Sequence, residues 1–198
     1  MFYPAAMARP YPSELVHDAL LRDGTRITVR PIRPTDREIE RAFVRNLSSE
    51  SKYFRFMSAL GELPESMLSR FIDIDYDREM ALIAVVCEGG TETEIAVARY
   101  VVNPEDTGCE FALVVADAWQ RRGIGSLILL DLIIAASARG LQFMEGLVLA
   151  SNSGMLGLVA SLGFAIHSRA GDPTVRLVTK PLQNGQVLPQ KAMAPHVN

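Results

Sequence analysis

The sequence predicts an α/β (α+β) protein with a mixed, mostly antiparallel central sheet of about seven strands flanked by helices. Three observations predict it. Apolar, strand-like runs at 80–87, 94–102 and 108–115 are separated by short turns, which makes an antiparallel meander. Two strand–turn–helix units follow, over 108–139 and 143–162, and each helix meets a glycine at its end (Gly140, Gly163). An apolar stripe of Ile39, Ala42, Phe43 and Leu47 marks a helix between the first strand and the meander.

Taken in order, residues 1–20 read as an N-terminal arm, proline-rich at Pro4, Pro10 and Pro12, with a short helix near 14–21. Residues 26–32 alternate and are β-branched, which gives a first strand. Thr35 and Glu38 are spaced as a capping box at the start of the next helix. A second short helix covers 49–58, with Tyr53, Phe54 and Phe56 assigned to the core. Leu63-Pro64 opens a third helical piece, and D-I-D-Y-D-R-E (73–79) is an acidic turn before the meander. Gly89-Gly90 turns the first two meander strands. After the second helix unit, 165–169 and 174–180 read as a closing hairpin, and 183–198 as a disordered tail. The folded domain is therefore expected over 21–182.

Composition narrows the function classes. Hydrophobic residues are 48% and charged residues 22% of 198, as in ordinary globular domains. A net charge of −3 gives no general attraction to nucleic acid or to an anionic membrane. No apolar run reaches transmembrane length. His17, His167 and His196 have no metal-ligand spacing, so no metal is expected. Cys87 and Cys109 both fall in strands, which suits a reducing, cytoplasmic setting rather than a disulfide framework.

The chemistry-bearing stretch is E-F-A-L-V-V-A-D-A-W-Q-R-R-G-I-G-S (110–126), an apolar strand, a turn, then a helix start. Glycine lets a ligand approach the backbone, and the first amides of a helix have no partners of their own. Such a turn holds phosphate, and Arg121 and Arg122 add charge-assisted donors. It is not a Walker loop, because no lysine precedes Ser126, and it lacks the third glycine of the dinucleotide fingerprint, Ile128 standing there.

What remains, Q/R-x-x-G-x-G/A at 120–125, resembles the pyrophosphate loop of GCN5-related N-acetyltransferases (GNAT). Asn152, Met155 and Leu162-Gly163-Phe164 match the second half of that family's pattern. L-R-D-G-T-R-I-T-V-R-P-I-R-P-T-D (21–36), L-S-S-E-S-K-Y-F-R-F-M (47–57) and I-D-Y-D-R-E-M-A-L-I-A (74–84) resemble the acetyltransferase domain of bacterial Pat-type protein lysine acetyltransferases. The resemblance implies the GNAT fold, splayed between the fourth and fifth of these strands, and acetyl-CoA as co-substrate. It implies cofactor contacts from Leu113, Val114, Val115, Gln120, Arg121, Arg122, Gly123, Ile124, Gly125, Ser126 and Asn152. The pantetheine arm would pair with the strand over 113–115 if its neighbour diverges after Leu113.

Transfer to an amine needs a base, since lysine is mostly cationic at neutral pH. Glu110 is the candidate, on the strand where the family carries a catalytic glutamate, and Glu145 on the next strand is the reserve. Val159 departs from the pattern: many relatives have a tyrosine there to protonate the leaving thiolate. Arg37, Arg41, Arg45, Lys52 and Arg55 could steer an acidic partner surface, and Asp73, Asp75 and Asp77 a cationic lysine; both sets also fit plain solvated surfaces. The expected acceptor is a protein with an exposed lysine. A small amine, or no acceptor at all in an acyl-CoA sensor, are the alternatives, and the oligomeric state, monomer or dimer, is left open.

Overall fold

A computed structural model describes residues 9–58, 61–169 and 171–182. One eight-stranded sheet runs through it: β1 (His17–Leu20), β2 (Arg26–Pro31), β3 (Glu79–Glu88), β4 (Thr91–Val102), β5 (Gly108–Val115), β6 (Phe143–Leu149), β7 (Ala165–Arg169) and β8 (Asp172–Pro181). Their order is β1-β2-β3-β4-β5-β6-β8-β7. Every pairing is antiparallel except β5 with β6.

Five helices flank the sheet: α1 (Arg37–Asn46), α2 (Ser49–Phe56), α3 (Glu65–Ile72), α4 (Ile124–Ala138) and α5 (Ser153–Ser161). Strand alternation divides the core in two. Ala96, Ala98, Tyr100, Phe111 and Leu113 face α4, where Ile128, Leu129, Leu132 and Ile133 are fully covered. Ala81, Ile83, Val85, Val97 and Val114 face Phe43, Val44 and Leu47 of α1 and Leu68 and Ile72 of α3. α4 is apolar nearly all round, as a helix wedged against a sheet must be. Gly140 ends it in the left-handed conformation (φ 89°), with Leu141 N–H on Ala136 O and Gly140 N–H on Ser137 O.

Two expectations are corrected. The strand count is eight because 14–21 is not a helix: a 3₁₀ turn at Ser13–Leu15 leads into β1, which pairs with β2 from His17↔Val29 to Leu20↔Arg26. Asp23-Gly24 is the hairpin signal that produces it. Gly24 takes φ 85°, Asp23 Oδ1 accepts from Thr25 N–H, and Leu21 N–H donates to Thr25 O. The capping box of Thr35 and Glu38 does not form. Asp36 instead accepts from Arg33 N–H at 2.7 Å while holding the buried Arg30 guanidinium at 2.7 and 2.9 Å. A buried cation demands a paired carboxylate, and that demand fixes which acid turns inward; Glu38 pairs with Arg41 on the surface. The tail at 183–198 and the first eight residues of the arm lie outside the described residues.

Candidate active site

The cleft begins where β5 and β6 part. Their parallel pairing covers Gly108↔Phe143, Cys109↔Met144 and Glu110↔Glu145, and stops there. The next rung would set Phe111 against Gly146. Phe111's ring fills the place of a side chain at that glycine, since a Cβ on Gly146 would lie 2.8 Å from it. β5 keeps its pairing with β4 up to Val115, and β6 with β8 up to Leu149. The two halves of the sheet therefore separate around an aromatic wedge. Divergence starts after Glu110, three residues earlier than the sequence reading set it, so the free edge of β5 includes 111–115.

Two cavities occupy the gap. The smaller, about 190 Å³, is lined by Glu110, Phe111, Leu147 and Val148 among others. The larger, about 860 Å³, runs along Leu113, Val114 and Val115, past Gln120, Arg121, Gly123, Gly125 and Ser126, to the start of α5. They share Phe54, Arg55, Leu113, Asn152 and Met155.

The head of the groove is the N-terminus of α4. Arg121 (φ 61°) and Gly123 (φ 90°) turn the chain, and no side chain caps the helix. The bond from Leu127 N–H to Gly123 O opens α4, which leaves the amides before it without helical partners. Those amides and the helix dipole favour an anion. A Cβ on Gly125 would sit 3.4 Å from Leu158 and 3.7 Å from Leu113 and Val115, ordinary contact distances. The protein's own packing does not require glycine there, whereas a ligand resting on that backbone would.

Gln120 spends its amide inside the protein, donating to Ser51 Oγ and Val115 O at 3.2 Å each. Arg121 is exposed and lines the groove. Arg122 is turned away: it lies 4.7 Å over the Trp119 ring and pairs with Asp23 at 3.2 Å. Ile124's side chain is buried in the core, so only its backbone could face a ligand. Asp117 ties the loop to α2 by accepting from Ser48 N–H, Ser48 Oγ and Ser51 Oγ. Partial burial opposes its charge, but these hydrogen bonds outweigh that and hold the carboxyl below 3.8.

Glu110 is exposed, lines the smaller cavity and makes no hydrogen bond or ion pair among the described residues. Glu145 is its neighbour across the sheet but lines neither cavity. Asn152 caps α5, its Oδ1 accepting Met155 N–H at 3.0 Å, and the residue lines both cavities. Val159 is fully buried in the core, and no tyrosine lines either cavity among the described residues.

The charges singled out in sequence sort themselves. Arg37 pairs with Glu65, Arg41 with Glu38 and Glu65, and Lys52 reaches the carbonyls of Arg45 and Gly61. Asp75 accepts from the amides of Asp77, Arg78 and Glu79, and Asp77 pairs with Arg9 and Arg139, so this turn is structural. Of the aromatic trio assigned to the core, Tyr53 is 47% exposed, Phe54 lines the cleft, and Phe56 packs against the core on one side while lining the cleft on the other. The sequence around them, S-K-Y-F-R-F, has no periodicity that separates core from cleft. Among the described residues, no cluster of metal-ligating side chains occurs, and no helix is long and apolar enough to cross a membrane.

Comparison with known proteins agrees with this geometry. The model of the acetyltransferase (GNAT) family matches residues 42–164. An acetyltransferase of Pseudomonas aeruginosa is 35% identical over 154 residues, covering 78% of this chain and 83% of that one. Acetyltransferase Pat of Mycolicibacterium smegmatis is 32% identical over 160 residues, 80% of this chain but 45% of that longer protein. The crystal structure of the GNAT domain of S. lividans PAT superposes with a TM-score of 0.80 at 30% identity, covering 87% of this chain and all of that domain. The chain belongs to the GNAT family of N-acetyltransferases, which use acetyl-CoA as acyl donor.

Proposed function

We propose that the chain moves an acetyl group from acetyl-CoA to the side-chain amine of a protein lysine, with Glu110 as general base. The observation that carries this reading is an unpaired carboxylate in a cavity that opens onto the groove beneath the α4 amides. The amides of 124–126 and Arg121 would hold the diphosphate. The free edge of β5 over 113–115 would pair with the pantetheine arm, and Asn152 would donate its side-chain amide to it. A β5 amide at that edge would polarise the thioester carbonyl.

Glu110 takes a proton from the ammonium, directly or through one water. The freed nitrogen attacks the carbonyl carbon, the C–N bond forms, the C–S bond breaks, and the nitrogen gives up its second proton to solvent to become the amide. The departing sulfur leaves as thiolate and takes a proton from solvent. A thiol pKa near ~8.5 makes that departure feasible without a side-chain acid. Two free cysteines, Cys87 exposed and Cys109 buried, fit a reducing compartment, and the cytoplasm is the proposed setting.

Lysine as acceptor rests on similarity to Pat, and is tested by incubating the protein with labelled acetyl-CoA and either a cell lysate or a panel of small amines. Label on proteins supports the lysine reading, and label confined to small amines contradicts it. Glu110→Gln should lower kcat on the acceptor so identified by about 10²–10⁴-fold while leaving the Kd for acetyl-CoA unchanged. Unaltered turnover from pH 6 to 9 would reject the base. A buried Val159 and a cleft with no tyrosine among the described residues favour one other reading, a non-catalytic sensor; stabilisation by acetyl-CoA without transfer to any acceptor would support it.

A further inference from the structure

Of the five residues shared by the two cavities, Arg55 is the one with a charge. The larger cavity carries the phosphate loop and the smaller carries Glu110, so their junction is where the acyl end of a bound thioester must pass. Of the other basic residues of α1 and α2, Arg37, Arg41 and Lys52 are occupied by Glu38, Glu65 or backbone carbonyls, and Arg45 is exposed and lines neither cavity. Arg55 is different. Among the described residues it has neither hydrogen bond nor ion pair, and two rings hold it in place, Phe56 at 5.0 Å and Phe71 at 5.8 Å. Those rings are themselves stacked, 6.3 Å apart. Stacking fixes where the guanidinium sits without using its five N–H donors.

Its surroundings raise the value of an anion there. Burial first, then the nearby Arg99 cation, bring its pKa down to about 10, against a smaller pull from Glu40. Arg99 is committed to Phe71, donating to its carbonyl at 3.1 Å and lying 4.1 Å over its ring. Asp36 and Glu92 are in contact with Arg30 instead. Glu110 shares the smaller cavity but does not reach ion-pair distance. A partly desolvated guanidinium with open donors binds a carboxylate in bidentate geometry.

We propose that Arg55 is the receptor for a substrate carboxylate at the junction of the two cavities. This inference rests on the acyl-CoA reading above and adds a substrate class to it. The carboxylate can arrive on the acyl group, as in a dicarboxylic acyl thioester, or on the acceptor, beside the amine that Glu110 serves.

The test pairs ligands that differ in that group alone. Titration calorimetry with butyryl-CoA and succinyl-CoA compares equal chain lengths with and without the terminal carboxylate. For the acyl source, the wild type binds succinyl-CoA about tenfold more tightly, Arg55→Gln removes the preference and Arg55→Lys keeps part of it. For the acceptor source, the two thioesters bind alike. Then kcat/KM with acetyl-CoA favours a lysine peptide bearing a glutamate next to the lysine over its glutamine analogue about tenfold, again only with Arg55 present. Equal behaviour in both arms overturns the inference, and so does a preference that survives Arg55→Gln. The wild-type comparisons decide the matter even if the variants fold poorly. Failure of both thioesters to bind would instead overturn the acyl-CoA reading itself.

Discussion

Glu94 shows how a single residue carries information that its neighbours in sequence do not. It lies in T-E-T-E-I-A-V-A, among glutamates that alternate with threonines, yet it is buried, with neither carboxylate oxygen partnered within the protein. Burial, and after it the adjacent Glu40 carboxyl, push its pKa well above 4.5. The folded state therefore keeps a proton that the unfolded chain releases. Such a group contributes its full stability below its unfolded pKa and loses it as the pH rises through the folded value. Glu94→Gln replaces it with a neutral side chain of the same size. Thermal melts should show the variant close to wild type at pH 5 and more stable than wild type at pH 8, by roughly 2–4 °C for each kcal/mol relieved. A gap that narrows with rising pH would mean that Glu94 is ionised in the fold. Glu110 makes the opposite case: its strand, its spacing to the loop and its family likeness marked it in sequence, and it stands exposed in the cleft.

Elements in this fold are placed by contacts that lie far apart in the chain. The parting of β5 from β6 is the clearest, because it depends on Phe111 facing Gly146 thirty-five residues on. Gly146→Val would force the ring aside or drive it into the smaller cavity that it lines. The expected cost is about 1–3 kcal/mol, read as a lower melting temperature, together with weaker acetyl-CoA binding. Phe111→Ala in the same chain should recover part of the stability by making room. Unchanged stability and affinity in Gly146→Val would show that the wedge is not what parts the strands. α2 is placed in a similar way, by Asp117 reaching back from the phosphate loop to Ser48 and Ser51. That tie carries Phe54 and Arg55 to the cleft. It is at full strength above the ordinary aspartate range and is lost as acid brings the pH down through the lowered pKa of Asp117.

At the scale of the whole molecule, local signals were legible and long-range ones were not. The meander, α4 with its glycine stop, and the Asn152 cap each depend on a few adjacent residues, and the sequence shows them plainly. The apolar spacing of 14–21 suits helix and strand alike, and the Asp23-Gly24 turn that decides for β1 acts through β2. The inward turn of Asp36 needs Arg30 on another element, and the solitude of Arg55 needs knowledge of where every other carboxylate went. The loop motif marked a stretch that lines the larger cavity, but not which of its side chains face it: Arg122 and Ile124 share the motif and point elsewhere.

The mechanism depends on where the donor lies, and a crystal structure of the protein with acetyl-CoA tests it most directly. The diphosphate is predicted on the amides of 124–126, the pantetheine alongside 113–115, and the thioester between Glu110 and Arg55. A diphosphate bound away from the start of α4, or a thioester out of reach of Glu110 even through one water, would contradict it.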